Sequence, residues 1–96
     1  MALKINYNSG VYEIKGLLNS QNSVYLENHM NAIILTETGI VLSLEKITSI
    51  DTYAINRVVL LQEKILLSDK SFFIIGKKNK TVNDQFEASH HCNILL

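Results

Sequence analysis

A carboxylate and a hydroxyl stand side by side near the middle of the chain, at Asp51-Thr52. They lie within the run Ile47-Thr48-Ser49-Ile50-Asp51-Thr52-Tyr53-Ala54. An apolar run, Gly39 to Leu44, comes before it, and a strongly apolar, proline-free stretch, Ile55 to Leu67, comes after it. The pattern reads as a strand, a turn, and a helix that opens on Asp-Thr. The first N–H groups of a helix have no intrahelical partner and point outward, toward the positive end of the helix dipole. A hydroxyl placed there suits phosphorylation. The phosphate would bring ~1.5 to 2 negative charges and three acceptor oxygens. The helix end would favour it by ~0.3–1 kcal/mol, while the adjacent Asp51 would repel it. A partner packed over the turn would have to bury an unpaired dianion, at a cost of several kcal/mol. The chemistry implied is a switch that acts on binding more than on shape. Taken alone, the dipeptide reads first as a plain helix cap, the commoner use of Asp and Thr.

The other groups that could do chemistry point elsewhere. His90-His91-Cys92 invites a metal reading, but neighbours on a helix do not face one another, and His29 is the only other histidine. Zinc needs three or four convergent ligands, so no metal is expected. Gly76-Lys77-Lys78-Asn79-Lys80 lacks the second glycine and the Lys-Ser/Thr ending of a P-loop, and reads as a solvated turn leading to a helix cap. Thr52 as a nucleophile would need a base in reach, and the histidines are distant in sequence. An enzyme is therefore not expected, nor a cofactor. Tyr53, Arg57, Leu60 and Lys64 recur at helical spacing along one edge of the helix that follows Asp51. Tyrosine and arginine are favoured interface anchors, which makes this edge a candidate docking strip. The plainer reading is that a loop covers Leu60 and water solvates Arg57.

Composition narrows the class. The chain has 96 residues, 47% of them hydrophobic and 19% charged, as for one globular domain spanning 1–96 with a modest core. Lys+Arg and Asp+Glu number 9 each, so composition supplies no steering toward nucleic acid or anionic membrane. One cysteine, Cys92, leaves no internal disulfide. The start, Met1-Ala2-Leu3-Lys4-Ile5-Asn6, lacks the basic-then-apolar pattern of a signal peptide. No apolar stretch reaches the ~20 residues of a membrane helix. The expected location is the cytoplasm.

The elements that must position Thr52 follow from periodicity. Leu3 to Asn8 alternates, Asn8-Ser9-Gly10 is a hairpin turn, and Val11 to Leu18 returns as an antiparallel partner. Polar residues from Asn19 to Ser23 offer caps for a first helix carrying Leu26, Met30, Ile33 and Ile34 to about Thr36. Gly39 to Leu44 is a central strand. Thr52 to Ser68 is a second helix with core positions Ile55, Val58, Val59, Gln62, Ile65 and Leu66. Ser71 to Ile75 is a buried strand, Asn79 caps a third helix carrying Val82 and Phe86, and Asn93 to Leu96 is a last short strand. This order predicts an α/β fold: a mainly parallel four- to five-stranded sheet with right-handed crossovers, its first strand antiparallel at the edge.

This pattern resembles the STAS domains of bacterial anti-sigma-factor antagonists. The resemblance covers nearly the whole chain. It rests on Val11 to Asn19 before the first helix and on Val41-Leu42-Ser43-Leu44 with Ile50-Asp51-Thr52-Tyr53-Ala54 before the second, where the family pattern is Asp-Ser-Ser-Gly. The spacing on to Phe72-Phe73-Ile74-Ile75-Gly76 also agrees. The resemblance implies phosphorylation of Thr52 by an anti-sigma-factor serine/threonine kinase that binds the unmodified form, thereby freeing a sigma factor, with a phosphatase to reset the switch. The partner surface expected around Thr52 joins Asn19 and Asp51 to the helix edge of Tyr53, Arg57, Leu60 and Lys64. Tyr53 and Ala54 depart from the second serine and the glycine, and Asn19 stands where the family often has an acid. The family also often has a helix beyond the last strand, and a homodimer is expected to fill that place. Two further readings keep the fold. One is a non-phosphorylated accessory subunit of a membrane transporter. The other is a small-ligand or nucleotide-binding module with its pocket between the Asn19 turn and Asp51-Thr52.

Overall fold

The computed structural model describes residues 3–96, so the reading of the Met1-Ala2 start lies outside the described residues. Four strands form one sheet in the order β1-β2-β3-β4: Leu3–Asn8, Val11–Leu18, Gly39–Ile50 and Ser71–Ile75. Helix α1 (Ser23–Ile34) joins β2 to β3, α2 (Thr52–Leu67) joins β3 to β4, and α3 (Lys80–Ala88) follows β4. β1 runs antiparallel to β2 at the edge, and β2, β3 and β4 are parallel. This is the expected α/β architecture, with four strands.

The β1–β2 hairpin closes through two residues, Ser9 and Gly10, because Asn8 pairs with Val11. Both have positive φ, +52° and +87°, as a type I′ turn requires to match the twist of its strands. Leu3, Ile14 and Leu18 of the hairpin face the core with Ile40, Leu42, Leu44, Phe72 and Ile74. Leu26 and Met30 of α1 and Ile55, Val58, Leu61 and Ile65 of α2 close over them. Each large apolar side chain buried in this way contributes about 1.5–3 kcal/mol. The opposite sheet face, with Val41, Phe73 and Ile75, is only partly covered, and Phe73 is half exposed.

β3 is longer than its sequence suggests. The apolar run predicts a strand ending at Leu44 with a turn beyond, but the strand continues to Ile50. Two register shifts against β2 explain the difference. Glu13 pairs with Ser43, Lys15 with Lys46, and Leu17 with Ser49, so β3 gains one residue at each shift. The buried positions therefore fall at Ile40, Leu42 and Leu44, and then at Ile47 and Ile50. Each inserted residue breaks the two-residue alternation and makes a strand look like a loop. Gly16, next to the second shift, takes φ +100°, which a side chain would resist.

Three other expectations need correction. The core face of α2 is rotated slightly from the expected one: Ile55, Val58 and Ile65 are buried as expected, Ala54 and Leu61 join them, Val59 and Gln62 are half-buried, and Leu66 is half exposed. Leu61 is drawn in because α1 packs on that side, against Ser23 and Leu26. α1 ends at Ile34, two residues before the expected Thr36. Asn93 to Leu96 is not a strand. His90 ends α3 with φ +62°, Cys92–Ile94 form a 3-10 turn, and only Leu95 bridges to Ile74.

Candidate functional site

The C-terminal ends of β2 and β3 lie side by side, with Leu18 paired to Ile50 and the Asp51 N–H donating to the Leu18 carbonyl at 3.3 Å. This register brings the Asn19 turn next to Asp51-Thr52. Asp51 is the N-cap of α2. Its extended backbone (φ −104°, ψ 168°) lets Oδ1 accept from the Ala54 N–H at 2.8 Å. Oδ2 accepts from the Ser20 N–H at 3.2 Å, across 31 residues of sequence. One carboxylate thus caps a helix and fastens the β2–α1 turn to it, two charge-assisted bonds from a single side chain.

Thr52 is the first residue of α2 and is exposed. Its hydroxyl makes no hydrogen bond within the described residues. The Ala54 and Ile55 N–H groups are taken by Asp51, through Oδ1 and its carbonyl, while those of Thr52 and Tyr53 have no hydrogen-bond partner among the described residues. The hydroxyl therefore sits in water beside two unpaired donors and the positive end of α2. Tyr53, next along, is half exposed.

Asn19 turns inward to its own loop. Its Oδ1 accepts from the N–H groups of Gln21 and Asn22, and its N–H donates to Asn22 Oδ1. Asn22 Nδ2 in turn donates to the Leu17 carbonyl at 2.6 Å. Asn19 therefore shapes the turn beside Thr52, with its amide oxygen engaged by its own loop.

The α2 edge divides into free and tied residues. Leu60, like Tyr53, is half exposed. Arg57 is held by a bidentate ion pair to Glu27 of α1, with Nε–Oε2 at 3.0 Å and Nη2–Oε1 at 2.8 Å. Lys64 Nζ donates to Asn31 Oδ1 at 3.2 Å. Arg57 thus contributes cross-bracing between helices rather than a free guanidinium. Sequence reasoning missed Ser20, Glu27 and Asn31, because their partners lie about thirty residues away and no local spacing encodes such pairs.

Elsewhere, His90 and His91 lie at the end of α3, and among the described residues no three His, Cys, Asp or Glu side chains come together as a metal site. Asn79 caps α3 through the Val82 N–H, and Lys77, Lys78 and Lys80 around it are exposed. Among the described residues no helix is long and apolar enough to cross a membrane.

No protein-family model matches the chain, and no curated protein matches its sequence. Solved structures do match its fold. The anti-sigma factor antagonist SpoIIAA in its unphosphorylated form superposes with a TM-score of 0.76 at 14% identity, over 99% of this chain and 86% of that one. The Bacillus cell fate determinant SpoIIAA in its phosphorylated form gives 0.69 at 13% identity, over 99% and 89%. An anti-sigma factor antagonist from Mycobacterium paratuberculosis gives 0.74 at 13% identity, over 92% and 76%. At these identities the likeness is one of fold, and that fold is the STAS fold of the anti-sigma factor antagonists.

Proposed function

We propose that this STAS-fold chain is an anti-sigma-factor-antagonist-like regulatory protein that binds an anti-sigma serine/threonine kinase and is released when Thr52 is phosphorylated. The carrying observation is the exposed, unbonded Thr52 hydroxyl at the first position of α2, beside two unpaired N–H groups. The fold likeness supports the same reading, since one of the matching structures is a phosphorylated form. Tyr53 offers apolar contact beside the hydroxyl, and the Asp51–Ser20 bond holds the neighbouring turn in place for a docking partner. A phosphate on Thr52 leaves the helix intact, because the helix end accepts anions. Under a docked partner the same phosphate is a buried, unpaired charge, costing several kcal/mol of binding.

Incubation with the candidate kinase and ATP, followed by mass spectrometry, is expected to find one phosphate on Thr52 and none on the Thr52→Ala protein. Thr52→Glu is expected to weaken kinase binding by at least tenfold, the equivalent of about 1.4 kcal/mol. Phosphate on another residue, or full affinity in the Thr52→Glu protein, would overturn the reading.

A further inference from the structure

At the end of α2 away from Thr52, the sides of α1 and α2 part into an open groove. Two adjoining hollows of about 180 and 420 Å³ make it up, and they share Asn31 and Lys64. Its floor is apolar, formed by the buried Leu61 and Ile65. Its rims carry Leu60, 51% exposed, on the α2 side and Leu35, 81% exposed, at the end of α1. Such exposure of large aliphatic side chains beside a concave apolar floor is the pattern of a docking surface. From Arg57 to Ser68 the groove follows α2 for about 16 Å, three helical turns.

The charges along it are lopsided. Glu27 and Arg57 neutralise each other at the end nearer Thr52. Lys64 and Lys70 stand further along, and among the described residues neither has a carboxylate within 4.0 Å. Lys70 Nζ donates to the Ile34 carbonyl, which offsets the negative end of the α1 dipole. Lys64 is exposed, and among the described residues its one partner is the neutral Asn31 amide. The groove thus has an apolar floor, apolar rims and an uncompensated cation at its centre.

The walls also decide the form of the ligand. Both are helices whose backbone groups are bonded internally, so the groove offers side chains and no ladder of free N–H and C=O groups. An extended peptide lying there would lose backbone hydration without replacement bonds. A helical ligand brings its own backbone bonds.

We infer that the α1–α2 groove seats an acidic amphipathic helix of a protein partner. About three turns of that helix lie between Leu35 and Leu60. Apolar residues at i, i+3 or i+4, and i+7 rest on Leu61 and Ile65, and a carboxylate meets Lys64. The site lies beyond the Glu27–Arg57 brace from Thr52, and its occupation does not depend on the phosphorylation proposed above.

The test uses the full chain and three labelled synthetic peptides: an acidic amphipathic helix of Leu and Glu on an Ala background, the same peptide with Lys for Glu, and a scrambled acidic peptide. Fluorescence anisotropy is expected to show saturable binding of the acidic helix alone. Lys64→Glu should weaken it about tenfold and should confer binding of the Lys peptide instead. Leu35→Ser should weaken the acidic helix with no change of charge, and Thr52→Glu should leave it unaffected. Both groove variants alter exposed side chains, and a thermal melt checks that each folds. Equal binding of all three peptides would overturn the inference, as would affinity unchanged by both groove variants. It would also be overturned if the chain alone dimerised through Leu35 and Lys64, or if anionic lipid vesicles, with no peptide present, bound the chain in a Lys64-dependent way.

Discussion

At the scale of single residues, Asp51 and Thr52 are neighbours with opposite demands. The Asp51 carboxylate is fully employed, accepting from Ala54 at the head of α2 and from Ser20 in the turn before α1. The Thr52 hydroxyl is employed by nothing within the described residues. Asp51→Ala should therefore destabilise the protein by about 1–3 kcal/mol, through a lost cap and a freed turn. Thr52→Ala should change stability by less than about 0.5 kcal/mol. Urea denaturation of the two proteins checks this, and an equal loss in both would contradict the separation of roles. This pair was legible in the sequence because capping is local chemistry: a carboxylate and a hydroxyl ahead of an apolar helical run leave few geometries. Arg57 was legible only as a helix-edge residue. Its brace to Glu27 joins two helices thirty positions apart, and no spacing rule reaches that far.

Among the elements, β3 is where local pattern and structure part most clearly. Its first half alternates cleanly beside β2 and β4 and reads as a strand. Its second half, through Ile47 and Ile50, loses the alternation at two register shifts and reads as a turn, although it keeps its pairing with β2. What steadies this bulged half on the other side is a single amide. Asn79 Nδ2 points at the carbonyls of Glu45 and Ile47, at 2.9 and 2.8 Å, and at that of Leu44 at 3.3 Å, while Oδ1 caps α3 through Val82. The sequence showed Asn79 as a cap and could not show its grip on β3. The two roles separate by substitution. Aspartate caps a helix as well as asparagine does, but it cannot donate, and it would set a carboxylate against carbonyl oxygens. Asn79→Asp should thus cost at least as much as Asn79→Ala, about 2–3 kcal/mol. Thermal melts of both proteins check the order. An Asn79→Asp protein as stable as the parent would mean that the cap is the whole of the residue's contribution.

Over the whole molecule, Thr52 stands just past the C-terminal end of the sheet's parallel strands, and the strand leading to it lies inside the sheet. At Leu42 and Ser43, β3 is paired on both sides, whereas β1 pairs on one side alone. Local opening follows such support, so the amides of Leu42 and Ser43 should exchange with solvent slowly and those of β1 that face outward most quickly. The chain carries no net charge, so a phosphate on Thr52 would make it net negative by ~1.5 to 2 charges. That charge meets solvent and the open N–H groups of Thr52 and Tyr53, with nothing buried displaced. Phosphorylation should therefore slow exchange at Thr52 and Tyr53, disturb Ser20 through repulsion on Asp51, and leave the slow amides of β3 unchanged. Hydrogen exchange read by NMR on the modified and unmodified proteins makes the comparison. Unchanged protection in β3 alongside lost kinase binding would place the switch in the charge of the surface. Widespread deprotection of β3 would place it in the stability of the fold, and the Asp51–Ser20 fastening would then be the link through which the phosphate acts.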